Sequence, residues 1–316
     1  MREKMWWLLL IGATILFLFL CLSDTSSAVT WYVAKNGSAN FTMIQDAINI
    51  SSTGDTIIVT NGSYLENVNV NVTNLSIQSE NGLHLTFIRA KSRSDHVLEV
   101  TADYVIISGF TIMNATNQPN AGIYLGSDVD HCTIADSNVS NNYIGISLDA
   151  SCENTIINNT VRDNGYGFYL YRFSNNNKIT NNTVFSNEYD GINLRDSCRN
   201  NTITNNTITN NSVTNNYAGI HLFKSKDNLI YNNYFNNTNN ARDDDGDNTW
   251  NIKKTAGTNI IGGPYLGGNY WADYTGKDWN RDGLGEPPYY SPNVAYPPYG
   301  IKYGADYSLV PCTSSP

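Results

Sequence analysis

Five copies of one short phrase organise the chain: Gly122-Ile-Tyr-Leu, Gly145-Ile-Ser-Leu, Gly167-Phe-Tyr-Leu, Gly191-Ile-Asn-Leu and Gly219-Ile-His-Leu. Successive copies begin 23, 22, 24 and 28 residues apart. Each copy continues into a second phrase, which reads Asn154-Thr-Ile-Ile-Asn-Asn-Thr-Val in the second copy and varies little in the later ones. A repeat at such a regular spacing predicts a solenoid.

Apolar and polar residues alternate inside each copy, which is the pattern of a strand with one buried face. The predicted inward positions of the two phrases are Ile123, Leu125, Ile146, Leu148, Phe168, Leu170, Ile192, Leu194, Ile220 and Leu222, and Ile134, Ile156, Ile179, Ile203 and Ile230. Short strands joined by Asn, Ser and Gly turns, with no helical pattern between them, predict an all-β parallel β-helix. Residues 30–240 have room for about nine coils of this repeat.

Each later coil carries an Asn-Asn step, which we interpret as a corner. One column contains Asn158, Asn181, Asn205 and Asn232, and the next contains Asn159, Asn182, Asn206 and Asn233. Asn tolerates a left-handed backbone, and its side-chain amide can bond to the Asn one coil away. The two columns are therefore predicted to hold the coils in register.

The composition limits the classes of partner. The net charge is -9, only 15% of residues are charged, and the 19 Lys and Arg form no cluster. Nucleic acid is therefore not an expected partner. Residues 1–28 have basic residues, an apolar run and a Ser26-Ser27-Ala28 site, which predicts a signal peptide or a retained N-terminal anchor. We expect a secreted or cell-surface protein that contacts a membrane only through an uncleaved N-terminal segment.

Several Asn-x-Ser/Thr sequons are candidate glycosylation sites in an exported chain. An Asn-Asn-Thr corner produces sequons by repetition alone. The sequons at Asn36, Asn61 and Asn114 lie outside the corner columns and are the preferred candidates.

Both ends of the solenoid are predicted to be capped. Ile44, Ala47 and Ile48 share one helical face, and Thr42-Met-Ile-Gln45 has the pattern of a capping box. This predicts a short helix that covers the first coil of a β-helix over 29–241. Residues 242–316, rich in Gly, Tyr and Pro, are interpreted as a C-terminal cap packed on the last coil.

The two ends and the repeats together resemble one family. The opening Thr42-Met-Ile-Gln-Asp-Ala-Ile-Asn, the repeats, and the closing Gly267-Gly-Asn-Tyr-Trp-Ala-Asp-Tyr look like NosD-type β-helix proteins, which are common among exported archaeal proteins. The resemblance covers nearly the whole chain after residue 28. It implies a right-handed parallel β-helix with repeats of the carbohydrate-binding and sugar-hydrolysis type.

The sequence raises two candidate metals, calcium and copper. Asp278, Asn280 and Asp282 stand at positions 1, 3 and 5 before a glycine, with the Leu284 carbonyl and Glu286 following, as in the first half of a calcium loop. The full loop is not met, so a plain polar turn remains an alternative to calcium. The resemblance also implies copper, but the four His residues, at 84, 96, 131 and 221, are scattered through the repeats.

The outward face of the Gly-Ile-x-Leu strand is the surface most like a ligand site. Tyr rings beside Asp, Asn and Arg side chains provide the stacking faces and hydrogen-bonding groups that a sugar needs. The candidate ligand-binding residues are Tyr124, Asp149, Tyr169, Tyr171, Asn193, Arg195, His221 and Phe223.

The leading hypothesis from the sequence is an exported, noncatalytic, glycosylated β-helix protein with a structural, adhesive or glycan-binding role. Glycosidases use two carboxyl groups at a defined separation, and no such pair stands out in the repeats. Glycans, other cell-envelope components and further copies of the chain are the expected partners. A polysaccharide lyase or glycoside hydrolase acting on the outward face is the first alternative, and a copper-related accessory protein is the second.

Overall fold

The chain winds into a parallel β-helix of about nine coils with three sheets along its length. The computed structural model describes residues 27–211, 217–244, 247–279, 283–285 and 308–309. Within each sheet every strand pairs in parallel with the strand one coil away. The predicted solenoid is therefore confirmed. Among the described residues, no helix is both long and apolar enough to span a membrane.

Each sheet takes one strand from each coil. Sheet A contains Thr30–Val33, Thr56–Val59, Ser76–Ser79, Ile106–Ser108, Thr133–Ala135, Thr155–Ile157, Lys178–Thr180, Thr202–Thr204 and Leu229–Tyr231. Sheet B contains Gly62–Leu65, Thr86–Arg89, Thr111–Met113, Asn138–Ser140, Thr160–Arg162, Thr183–Phe185, Thr207–Thr209, Tyr234–Asn236 and Tyr270–Trp271. Sheet C contains Val68–Val70, Leu98–Val100, Ala121–Leu125, Ile144–Asp149, Tyr166–Tyr171, Ile192–Arg195, Ile220–Phe223 and Ala241–Asp243. Two short antiparallel pairs follow, Thr255–Ala256 with Tyr265–Leu266 and Leu284–Gly285 with Ser308–Leu309.

The core is a column of apolar side chains that runs inside the three sheets. All the predicted inward residues of the two repeated phrases are fully buried there. The register stacks like on like, for example Leu148 on Leu170 and Leu170 on Leu194. Burial of such side chains stabilises a fold by about 1.5–3 kcal/mol each. The repeated phrase thus specifies both the buried face of each strand and its register with the strand one coil away.

The two Asn columns of the A-to-B corner have different roles. Asn158 and Asn181 are exposed and have φ values of 57° and 56°, so they make the left-handed bend. Asn159 and Asn182 are buried, and the Asn159 backbone N–H donates to Asn182 Oδ1 at 2.8 Å. The Asn159 amide nitrogen also donates to that oxygen, at 3.1 Å, so the buried column forms the ladder between coils.

Two further Asn ladders run along the other corners. Asn154, Asn177, Asn201, Asn228 and Asn248 form one, and Asn142, Asn164, Asn187, Asn211 and Asn237 form the other. Each buried amide satisfies backbone groups of two coils, which keeps these turns free of unpaired polar atoms.

The glycines of the repeated phrase stand where adjacent coils approach most closely. A Cβ atom on Gly145 would lie 2.6 Å from the Gly167 carbonyl oxygen and 2.6 Å from Val161 Cγ1. A Cβ on Gly191 would similarly lie 2.6 Å from the Gly219 carbonyl oxygen. No side chain fits at such distances, so these positions require glycine for close contact rather than for an unusual φ.

The N-terminal helix, Ile44–Ile50, covers the first coil with Ile44, Ala47 and Ile48 buried. The predicted capping box is wrong, because the residue before the helix is Met43 and no side chain of the box caps it. Buried Glu66 accepts the backbone N–H groups of Ile44 and Gln45 instead, both at 3.1 Å. A carboxylate at a helix N-terminus is favoured by the free N–H groups and by the dipole.

Gln45 then closes the free edge of sheet C. The Asn69 N–H donates to Gln45 Oε1 at 2.8 Å, and Gln45 Nε2 donates to the Asn69 carbonyl oxygen at 3.3 Å. The side-chain amide therefore replaces a missing strand, which is one way to protect an exposed edge from aggregation.

Aromatic residues close the other end. Tyr270–Trp271 pairs in parallel with Tyr234–Asn236 as the last strand of sheet B. The Trp271 ring stacks on Phe235 at 4.6 Å and lies 5.8 Å from the Trp250 ring. The segment that the sequence assigned to a C-terminal cap thus supplies the last stretch of the winding. The boundaries of the predicted domains stay a prediction.

Candidate functional site

The outward face of sheet C carries two columns of side chains that the coil register builds. Tyr124 pairs with Ser147, Ser147 with Tyr169, and Tyr169 with Asn193. The second column runs Asp149, Tyr171, Arg195 and Phe223. Because inward positions alternate with outward ones, the same phrase that builds the core places these variable residues side by side.

A cavity of about 460 Å³ lies over this face, and we call it the tyrosine groove. Its volume is within the range of small-ligand sites. The groove is lined by aromatic rings with a few polar groups: His96, Gln118, Pro119, Tyr124, Tyr143, Ile144, Ser147, Asp149, Tyr166, Tyr169, Tyr171 and Arg195.

Asp149 is the carboxylate of the groove lining, and it is already held by neighbours. Arg172 makes two charge-assisted hydrogen bonds to its carboxylate, through Nε at 2.7 Å and through Nη2. The Tyr124 hydroxyl donates to Asp149 Oδ2 at 3.1 Å. Burial and the adjacent Asp149 charge raise the pKa of Tyr124 to about 12. Tyr124 is therefore a neutral hydrogen-bonding phenol at physiological pH.

The tyrosine rings form a continuous cluster that extends beyond the groove. The Tyr166 ring lies 5.3 Å from Tyr169 and 4.8 Å from Tyr189, which in turn lies 4.8 Å from Tyr217. Burial raises the pKa of Tyr143, Tyr166 and Tyr169. These rings offer apolar faces and uncharged hydroxyl groups.

His96 forms one wall of the groove. Its ring stacks on Tyr124 with the centroids 4.3 Å apart and the planes 8° from parallel. Its Nδ1 atom accepts the Ala121 N–H at 2.9 Å, and burial lowers the pKa of His96 despite the nearby Glu99 and Asp95. The neutral ring therefore carries its proton on Nε2.

A second polar cluster lies farther along the same face. His221 Nδ1 is 3.5 Å from Asp190 Oδ2, and His221 Nε2 is 3.3 Å from Asp244 Oδ2. Burial alone would lower the pKa of His221, but the bonds to the two carboxylates raise it. Asn193 Nδ2 donates to Asp190 at 2.6 Å, while the buried Asn193 Oδ1 has no hydrogen-bond partner.

The structure brings together five of the eight ligand residues that the sequence predicts. Tyr124, Asp149, Tyr169, Tyr171 and Arg195 all line the tyrosine groove. The other three lie outside the lining: Asn193 bonds to Asp190, His221 lies between Asp190 and Asp244, and Phe223 packs under the Arg195 guanidinium at 5.0 Å. The ligand-binding roles of all eight residues stay predictions.

Sequence reasoning missed several groove residues. Tyr143 and Tyr166 of the lining stand two residues and one residue before a repeat glycine, and Tyr189, in the ring cluster beyond the groove, also stands two residues before one. That recurrence is a usable signal for an aromatic column. His96 carries no comparable signal, since its contact with Tyr124 arises from the winding of one coil onto the next.

The predicted calcium loop lies only partly within the described residues. Asp278 Oδ2 accepts the Gly283 N–H at 2.8 Å, and Leu284 is buried. Asn280, Asp282 and Glu286 lie outside the described residues, so calcium stays a prediction.

Copper, which the family resemblance implies, stays a prediction. Copper prefers imidazole, thiolate and thioether ligands. No group of three or more His, Cys, Asp or Glu side chains in the described part of the chain is placed to hold a metal ion. His131 stacks on Tyr104 with the ring centroids 4.8 Å apart, whereas His96 stacks on Tyr124 and His221 lies beside Asp190.

The preferred glycosylation candidates differ in accessibility. Asn36 and Asn61 are exposed, whereas Asn114 is half-buried with a φ of 84°. Their modification stays a prediction.

The comparisons with known proteins agree with this architecture. Residues 48–276 match the family described as "Periplasmic copper-binding protein (NosD)". A cell surface glycoprotein of Methanothermus fervidus is 30% identical, in an alignment that covers 71% of this chain and 38% of that relative. The chain therefore spans well under half of that relative's length.

Two solved structures share the fold. An alginate lyase from Paenibacillus sp. str. FPU-7 has a TM-score of 0.55 and 17% identity, over 65% of this chain and 76% of the lyase. A pectate lyase has a TM-score of 0.51 and 15% identity, over 82% of this chain and 84% of the lyase. At these identities the likeness shows the parallel β-helix fold alone.

Proposed function

The chain belongs to the NosD family of parallel β-helix proteins, and we propose that it is a noncatalytic surface protein that binds neutral glycans in the tyrosine groove. The relationship to an archaeal cell surface glycoprotein supports a location outside the cell. The observation that carries the proposal is the groove itself, a cavity of about 460 Å³ lined by five tyrosines.

The charges around the groove favour an uncharged ligand. The Asp149 carboxylate is neutralised by Arg172. Arg195, the cation of the lining, lies 3.8 Å from Asp196 and stacks on Phe223. Neutral phenols and the neutral His96 supply the remaining polar groups, which match sugar hydroxyls better than sugar carboxylates.

The same lining argues against glycoside hydrolysis in the groove. Hydrolysis by acid–base catalysis uses two carboxyl groups about 5–9.5 Å apart, and Asp149 is the one carboxyl group of the lining. The raised pKa values of Tyr124 and Tyr166 also make these phenols poor bases near neutral pH.

Titration calorimetry with a panel of neutral oligosaccharides tests the proposal. We expect Tyr166→Ala to weaken binding about fivefold or more, because a stacking ring is lost. Tyr32→Ala is the matched control, since Tyr32 is 45% exposed on the outward side of sheet A. Equal affinities of the wild-type protein and Tyr166→Ala would refute glycan binding in the groove.

The cluster of Asp190, His221 and Asp244 supports one competing function, acid–base catalysis on a glycan. Asp190 is 1% exposed and orients the ring, and a protonated His221 next to a partly exposed Asp244 could transfer a proton. Product analysis by chromatography separates the two functions. Turnover that His221→Gln abolishes while binding persists would establish the catalytic one.

A further inference from the structure

A second hollow lies on the outward face of sheet B, on a different side of the rod from the tyrosine groove. Its volume is about 380 Å³, and we call it the arginine hollow. Its lining includes Phe87, Arg89, Thr111, Asn138 and Arg162.

The coil register explains why the surface is concave there. Arg89 pairs with Met113, Met113 with Ser140, and Ser140 with Arg162, so the small Ser140 separates two long side chains. The neighbouring column contributes Phe87, which pairs with Thr111. Short side chains, Thr111 in one column and Ser140 in the other, lie between larger ones and leave a depression across about three coils.

Arg89 is the unusual residue of the hollow. Its Nε donates to Ser63 Oγ at 3.1 Å, and its Nη1 lies 2.9 Å from the Met113 sulfur. No ion pair to Arg89 is formed by the acidic residues in the described ranges, whereas Arg162 on the far rim is paired with Asp163. In a chain of net charge -9, a half-buried guanidinium that has no carboxylate partner among the described residues keeps donors whose geometry fits an anion.

The other groups of the hollow suit a sugar. The Arg89 guanidinium lies 5.5 Å from the centre of the half-buried Phe87 ring, so a ring face stands directly beside the cation. The Thr111 hydroxyl donates to the Leu83 carbonyl oxygen at 2.7 Å and accepts the Asn138 Nδ2 amide at 3.4 Å, which fixes the Asn138 side chain beside the hollow. The buried Asn138 Oδ1 has no hydrogen-bond partner, and a sugar hydroxyl would satisfy it.

We propose that the arginine hollow binds an acidic sugar, with the sugar carboxylate on Arg89, the sugar ring against Phe87 and a hydroxyl on Asn138. The site is separate from the tyrosine groove and differs from it in ligand charge. The protein would then hold neutral and acidic glycans on two faces of one rod.

Calorimetry of the full chain with tetragalacturonate and with its methyl ester tests this site. The ester has the same sugar without the negative charge. We expect tetragalacturonate to bind, Arg89→Gln to weaken it at least about tenfold, and Arg89→Lys to lie between, because lysine keeps the charge and loses the paired geometry. In the Tyr166→Ala background, where the tyrosine groove is weakened, the ester should bind weakly to every variant.

Two controls make the result specific. Arg199→Gln removes the same charge from an exposed position outside the hollow and should leave affinity unchanged. Tyr166→Ala should also leave tetragalacturonate binding unchanged, which separates this site from the proposed groove function. No binding of tetragalacturonate, equal binding of its ester in the Tyr166→Ala background, or equal losses in Arg89→Gln and Arg199→Gln would each overturn the proposal. Thermal unfolding of each variant confirms that it is folded.

Discussion

Replacing Gly145 by alanine should force two coils apart. The new Cβ would lie 2.6 Å from the Gly167 carbonyl oxygen, whereas ordinary contact begins at 3.4 Å, so the atoms must separate by 3.4 − 2.6 = 0.8 Å. The Tyr166 N–H to Tyr143 carbonyl bond nearby is 2.9 Å long, and a shift of that size would take it beyond hydrogen-bonding range. Overpacking of this kind costs about 1–3 kcal/mol.

Denaturant unfolding followed by circular dichroism measures the loss of stability. Gly126→Ala is the matched control, because its Cβ would meet its nearest atom, the Val100 carbonyl oxygen, at an ordinary 3.4 Å. Hydrogen exchange of the amides around residues 143–167 localises the effect to the expected coils. If Gly145→Ala and Gly126→Ala unfold at the same denaturant concentration, close approach does not explain the repeat glycine.

Asn182→Ala should lower the free energy of unfolding by about 3 kcal/mol, because it breaks the buried ladder, whereas the neighbouring Asn181→Gly should change it by less than about 0.5 kcal/mol. The stabilising contribution of His221 should be full below its ordinary pKa of 6.5 and lost as pH rises through its raised folded value, and His221→Gln should remove that pH dependence of the thermal midpoint. Glu66→Ala should speed hydrogen exchange of the N-terminal helix, with a loss of about 1–2 kcal/mol. If the C-terminal loop binds calcium, a chelator should lower the thermal midpoint, and Asp282→Ala should abolish that shift.

Each of these expectations has a contrary outcome. Equal unfolding of Asn182→Ala and Asn181→Gly would show that the buried ladder adds no stability. A His221→Gln protein with the wild-type pH profile would assign that profile to other groups. Unchanged exchange of the helix amides in Glu66→Ala would remove the carboxylate from the cap. A chelator effect that persists in Asp282→Ala would place any calcium elsewhere.

Much of the fold could be predicted from the positions of individual residues in the sequence. Ile123, Leu148 and Phe168 were assigned inward by alternation, and all three are fully buried. The prediction worked because a strand has a period of two and a solenoid repeats that period in every coil. The residue that caps the helix could not be predicted, because Glu66 lies 22 residues from Ile44 in the sequence. It takes the capping role that the local pattern had assigned to Thr42 and Gln45.

The candidate site was readable in part for the same reason. Tyr124, Tyr169 and Arg195 belong to columns that the repeat itself aligns, so their proximity followed from spacing. The pairing of Asp149 with Arg172 depends on how one coil overlies the next. Sequence spacing does not report such side-chain directions.

By itself, the sequence determined the period, the inward columns, the corner asparagines and the outward residues of sheet C, because each is a local property repeated along the chain. The tertiary structure decided which outward residues meet. It separated the bending Asn158 from the ladder-forming Asn159 and paired Asp149 with Arg172. Among the described residues, it left Arg89 without a carboxylate partner. These pairings form between residues of different coils. They are decided only in the folded protein, because the stacking of one coil on the next determines which side chains meet.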